Sequence, residues 1–425
     1  MRPCVICLRV VAVTIALVVP PTRGAEPPAQ RLTIEQSVAE ALVRSPSLQA
    51  KRSLVAQAEG RLVTAKTYPF NPELVLEGAR RTSNGASFVD RGVWVTQEIE
   101  IAGQQGQRRD EFSAELAAVR AQVQREERLL SAGVRSAFVL ALAARERLEI
   151  ERANTELARS LTDVSRKRFE SGAAPPMEVN LALAQAGRAE RDRRLAEGAY
   201  QQARVVLGET VGLDPLQPPE PSGDLALPRV VQVSLADLVA GALDRRADLQ
   251  AFRNSVAAAQ SRIERNRREA VPNLVVSAFY AKEAGTDRLV GGTVGIQIPL
   301  FNRRQGAIAE ALASHQQVTA ETAALELRIR QEIASARVRS QAATDAASTL
   351  ARESLFSLRE NLDLLQRSFE AGKTGWSEVL LFRREFVGAQ RDYVVTIADA
   401  WLATIELELA SETTSTSFTS QESEQ

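Results

Sequence analysis

Taken alternately, the residues of VGGTVGIQIPL (residues 290–300) separate into two unlike faces. Val290, Gly292, Val294, Ile296, Ile298 and Leu300 make one. Gly291, Thr293, Gly295 and Gln297 make the other. Alternation of this kind marks a strand, and a greasy face backed by a small polar one suits a strand of a membrane barrel. RGVWVTQEIEI (residues 91–101) repeats the pattern. Val93, Val95, Ile99 and Ile101 share a face interrupted by Gln97, with Trp94, Thr96, Glu98 and Glu100 opposite. PELVLEGAR (72–80) and PNLVVSAFY (272–280) are their partners, joined to them by the turn-rich RTSNGASFVD and AKEAGTDR, which read as loops. Hairpins are therefore expected over 72–101 and 272–300.

Outward from the hairpins the periodicity changes. Proline-free helical patterns run from about 104 to 168 and from about 304 to 368. At 1.5 Å per residue, about 65 residues reach roughly 100 Å, beyond any compact domain. Ala, Leu, Val and Ile recur at three- and four-residue spacings with Arg, Glu and Gln between them, a coiled-coil kind of surface. Each run ends in a turn. FESGAAPPMEV (169–179) is followed two hundred positions later by FEAGKTGWSEV (369–379), identical at five of eleven places. Gly172 and Gly372 are expected to end the long helices in a left-handed conformation. Pro175 and Pro176 suit the start of a return helix over 176–211, and Thr374 or Ser377 would cap its counterpart over 377–410.

Two more pairs agree with that spacing. LTIEQSVAEALVRSPSLQA (32–50) matches VSLADLVAGALDRRADLQA (233–251), with Thr33 and Ser234 as helix caps, and QEIEIAGQQG (97–106) stands opposite QIPLFNRRQG (297–306). Helices are expected at 34–44 and 47–67, answered by one from 235 to about 270. The chain reads as a tandem duplication, 26–212 and 234–410, with tip turns at 169–176 and 369–376. Prolines in the joining segment (213–233) forbid helix or central strand there. The polar tail, 411–425, is expected to be disordered.

Residues 1–25 read as a secretory leader: Arg2 and Arg9, the apolar run VVAVTIALVV, then Pro20 and Pro21. The run is too short for a spanning helix. Both cysteines, Cys4 and Cys7, lie in this leader, so the mature chain has no disulfide and no lipid-anchor cysteine. Removing the leader takes three arginines and leaves 50 basic against 53 acidic residues, which argues against a nucleic-acid partner. Four strands cannot close a membrane barrel, whose smallest forms have about eight, and open edges are not tolerated in lipid. Several copies must share one barrel, and three would supply twelve strands.

The duplicated hairpin and long-helix plan, the FxxG…EV turns and the IPLFNRRQG junction resemble the TolC family of outer-membrane efflux channels, over residues 32–410. QEIEIAGQQGQRR is similar to the subgroup serving cobalt–zinc–cadmium efflux. The resemblance implies a mainly helical protein with membrane β structure: a homotrimer whose twelve-stranded barrel in outer-membrane lipid continues into a twelve-helix tunnel crossing the periplasm. It implies a periplasmic adaptor and an inner-membrane, proton-driven transporter as partners, and heavy-metal cations as cargo. The turns become periplasmic tips that dock the adaptor through Phe169, Gly172, Phe369, Gly372, Arg168 and Lys373. Glu178 and Glu378 become a gate of six carboxylates favouring cations. Against that role, a glutamate in a first helical turn also simply complements the dipole, and a second acidic position of the family is Leu381 here. Arg166, Arg168, Arg367 and Lys373 would hold the tips through ion pairs. A protein-secretion or multidrug duct, and a periplasmic coiled-coil scaffold, are the alternatives.

No catalytic constellation appears, so the chain is not read as an enzyme, and no cofactor is expected. The single histidine, His315, falls in a helical run, and Met177 is the only methionine after the leader. Soft-metal sites are built from Cys, His and Met, so metal selection is expected to sit in the transporter.

Overall fold

The structure, a computed structural model, describes residues 30–83, 85–228, 233–284, 286–351, 364–365, 367–369, 371 and 373–413. The leader, residues 352–363 and 366 of the helix expected over 304–368, Gly372 and the tail beyond Thr413 lie outside the described residues.

The first half begins with β1 (Arg31–Leu32) and α1 (Ile34–Arg44). Thr33 starts α1 with a reciprocal cap: its hydroxyl accepts from the Gln36 amide, and the Gln36 side chain accepts from the Thr33 amide. Ser45 and Pro46 break the chain before α2 (Pro46–Lys66). Strands β2 (Glu73–Ser83) and β3 (Ala86–Ile99) follow, then α3 (Gln104–Glu170) and α4 (Pro176–Val211). The 67 residues of α3 span about 100 Å. The Pro-rich joining segment contributes only β4 (Glu220–Pro221), which pairs with β1 in parallel. The second half runs α5 (Leu235–Arg245), α6 (Ala247–Arg268), β5 (Leu274–Glu283), β6 (Asp287–Ile296), α7 (Gln305–Thr349) and α8 (Trp376–Ser411).

Several sequence-based expectations change. The helix expected from 235 to about 270 is two helices, because Arg246 leaves the helical region (φ −59°, ψ 121°). No proline forces this. The Arg246 guanidinium is buried and donates to Asp248 at 2.6 and 3.0 Å, to Glu332 at 2.7 Å and to the Ala410 carbonyl at 3.3 Å. Tertiary bonds hold the break that Ser45 and Pro46 make locally in the first half. The hairpin loops are also far shorter than expected. The ladder pairs Ser83 with Ala86 and Glu283 with Asp287, so most of both turn-rich stretches is strand. Arg81, paired with Asp90 at 2.9 Å and Glu283 at 3.2 Å, links the two hairpins there. Finally, β3 stops at Ile99 and β6 at Ile296, short of 101 and 300. Pro299 has no amide to extend the ladder.

The strands form one antiparallel sheet, β2-β3-β5-β6, which is open at β2 and β6. Its register aligns Leu74 and Leu76 with Val95 and Val93, then with Ala278 and Tyr280, then with Gly292 and Val290. The alternation therefore becomes a continuous apolar face, and that face is bare: Leu76 is 73% exposed, Val290 81% and Val294 73%. Gln97 interrupts it without leaving a free amide, since its Nε2 donates to the Phe70 and Glu98 carbonyls. On the opposite face Trp94 and Phe279 stack, with centroids 6.0 Å apart. Gly92 and Gly291 leave room for them, because a Cβ at either would lie within 2.6 Å of a ring.

Thin, alanine-rich cores join the helices. One gathers Ile34, Ala41, Phe138, Leu142 and Leu207 from α1, α3 and α4. Its counterpart gathers Leu238, Leu249, Ile329, Ile333 and Leu407 from α5 to α8. A third, with Val139, Ile397 and Trp401, binds α3 to α7 and α8. Trp401 Nε1 donates to the Ala226 carbonyl at 2.6 Å, which pins the joining segment. No described helix is long and apolar enough to cross a membrane.

Candidate functional site: the helical tips

The first turn closes as expected. Gly172 has φ +74°, and the amides of Gly172 and Ala173 bond the Phe169 and Arg168 carbonyls at 2.9 and 2.7 Å. These bonds satisfy carbonyls that a helix end leaves open. Pro175 caps α4 through extended backbone and Pro176 occupies its first turn. The second turn starts differently from expectation. Gly375, with φ −78° and ψ 154°, is the N-cap, and neither Thr374 nor Ser377 provides a side-chain cap. The start is set by packing: Trp376 lies against Phe369, with ring centroids 5.5 Å apart.

The tips are joined to each other. Phe369, fully buried, packs with Leu161 of α3 and Val379 of α8, flanked by Leu157, Val164 and Trp376. The Arg168 guanidinium lies 4.8 Å from its ring centroid, and Arg168 Nη1 donates to the Phe369 carbonyl at 3.2 Å. Arg168 Nε stands 3.6 Å from Glu178 Oε1, an ion pair without a hydrogen bond. It is one of the ion pairs expected to hold the tips. Arg166 and Lys373 are exposed.

The predicted site residues thus divide. Arg168, Glu178 and Phe369 come together, and the Glu178 side chain is only 11% exposed. Glu378 and Lys373 are exposed, and so is Phe169, at 45%. Phe369 is therefore core rather than docking surface. Four of the buried side-chain atoms without a hydrogen bond among the described residues belong to this region: Ser165 Oγ, Arg168 Nε, Glu178 Oε1 and Trp376 Nε1. Folded proteins leave few such atoms, and two of these four, Arg168 Nε and Glu178 Oε1, face each other across the ion pair.

Sequence reasoning missed a second layer, higher on the helices. Arg383 of α8, 6% exposed, donates to Asn154 of α3 at 2.6 and 3.0 Å. Two turns on, Arg391 forks onto buried Glu151 at 2.6 and 2.7 Å and reaches Asp192 of α4 at 3.5 Å. The hydrogen bonds that Arg391 donates to Glu151 raise the Arg391 pKa, while burial and the nearby charge of Arg391 lower that of Arg383 against the opposing pull of Glu151. Nothing local distinguishes these arginines in so arginine-rich a chain. Among the described residues no group of three or more His, Cys, Asp or Glu could hold a metal ion.

Paired helical turns at one end of a 100 Å helix, with an open, apolar-faced sheet at the other, define an elongated, mainly helical protein. The family model for outer membrane efflux proteins matches residues 38–213 and 238–410, and the chain belongs to that family of outer-membrane channels. Its members are components of tripartite efflux pumps and are not enzymes. The cobalt-zinc-cadmium resistance protein CzcC of Cupriavidus metallidurans is 26% identical over 392 residues, covering 88% of each chain. Protein CyaE of Bordetella pertussis is 28% identical over 402 residues, covering 88% of this chain and 83% of its own. A solved structure of CusC superposes with a TM-score of 0.74 at 18% identity, over 89% of this chain and 91% of that one, a likeness of fold.

Proposed function

We propose that three copies of this chain form a passive exit duct of a tripartite pump. The observation that carries this reading is the open sheet, whose exposed apolar face and unpaired outer strands β2 and β6 require further copies. Three copies close a twelve-stranded barrel in outer-membrane lipid, and the long helices continue it as a twelve-helix tunnel into the periplasm. A periplasmic adaptor docks on the exposed part of the tips, at Phe169, Gly172 and Lys373. Gly372, the remaining tip position, lies outside the described residues. Docking shifts Arg168 off Phe369 and Glu178, and the four unsatisfied atoms there find partners in the open arrangement. Three Glu378 carboxylates line the constriction and favour cations, while Glu178 serves the latch.

Heavy-metal cations are the proposed cargo, delivered by a proton-driven inner-membrane transporter. The likeness to a cobalt-zinc-cadmium resistance protein supports this choice. Ion currents through the purified protein in planar bilayers test the duct. Glu378→Ala is expected to lower cation over anion selectivity, and Arg168→Ala to raise the resting current several-fold. Currents unchanged by both substitutions contradict the gate and the latch.

A further inference from the structure

A cavity of about 430 Å³ opens between α4 and α8, beside Asn154 of α3. Arg188 and Arg191 line it from α4, and Arg383, Arg384 and Arg391 from α8, against a single acid, Asp192. That acid is engaged, by Arg191 at 2.5 Å and Arg391 at 3.5 Å. Arg391 is neutralised further by Glu151. Arg188, Arg383 and Arg384 make no ion pair among the described residues.

Arg383 is the unusual member. Its side chain is more than nine-tenths buried. Its Nε and Nη2 donate to Asn154, a neutral partner, and its Nη1 makes no hydrogen bond among the described residues. Nη1 is not among the fully enclosed unbonded atoms, and Arg383 is one of the residues that line the cavity. Glu151 acts on Arg383 only from beyond ion-pair distance and is itself taken by Arg391, and a buried cation without a direct ionic partner is among the costlier features a fold can hold. The volume lies in the range of small-molecule sites, and a guanidinium fork matches carboxylate and phosphate oxygens.

We propose that this cavity binds a small oxyanion, a carboxylate or phosphate compound, with Arg383 as the buried anchor and Arg188 and Arg384 as the outer contacts. All three residues belong to one chain, so no residue of a second copy is needed to form the site. It places an anion site five residues beyond Glu378 on the same helix, in a protein proposed to carry cations.

Calorimetric titration of the detergent-purified mature protein with citrate, and separately with inorganic phosphate, at ionic strength matched with chloride, tests this. Saturable binding of either, at one per chain, is expected, and the tighter ligand identifies the oxyanion class. Arg188→Gln and Arg384→Gln are each expected to weaken it by about tenfold, the size of one charge-assisted hydrogen bond. Both residues are exposed and free of ion pairs, so neither substitution disturbs the fold. Arg194→Gln, on α4 but outside the cavity and paired with Glu190, should leave affinity unchanged. Absence of saturable binding by both ligands overturns the proposal, as does affinity untouched by both cavity substitutions.

Discussion

Phe169 and Phe369 open the same motif, yet one is exposed and the other is buried. The motif was legible as a turn, and Gly172 as its left-handed residue. The asymmetry was not, because it depends on Arg168 and Leu161 reaching across from α3 to the second turn only. Phe369→Ala should therefore lower stability by about 3 kcal/mol, the scale of an aromatic cavity, and loosen the tip. Phe169→Ala should change stability by less than about 0.5 kcal/mol while weakening adaptor binding. Thermal unfolding of both variants, with adaptor affinity, separates the roles; equal destabilisation would erase the distinction. Glu151→Ala strips Arg391 of its main partner, and breaking such a buried pair costs roughly 3 kcal/mol. Limited proteolysis near the tips should then speed up, and an unchanged rate would mean the tie is slack.

At the scale of elements, the sequence located nearly every described helix and long strand, because absent prolines and clean alternation are strong local signals. It failed where distant charges decide. Arg246 divides α5 from α6 through Asp248, Glu332 and a carbonyl of α8, none of which is visible in local propensity. Burial alone would push the Asp248 carboxyl up, but the Arg246 hydrogen bonds and the charges of Arg246 and Arg125 outweigh it and hold Asp248 below its usual value. A carboxyl held low contributes stability that is whole above about pH 4 and is lost as the pH falls through its folded value. Asp248→Asn should thus cost stability at neutral pH, and the gap to the native protein should close as the pH drops below about 4. Unfolding temperatures at neutral and acid pH measure this, and a gap constant across the range would contradict it. The loops misread in the hairpins have a similar origin, since turn-forming residues there are overridden by the ladder and by Arg81, which ties Asp90 to Glu283.

For the whole molecule, the alternating segments foretold one apolar face but not its continuity, which comes from a register running across all four strands. That face is exposed in a single chain, and its outer strands have no partners there. Every larger claim, from barrel to tunnel to gate, follows from completing that sheet with further copies. The most direct test is the mass of the complex extracted in mild detergent from native outer membranes. The account predicts a particle of three mature chains in the outer-membrane fraction. A single chain recovered in the soluble periplasmic fraction would contradict it and leave only a helical scaffold.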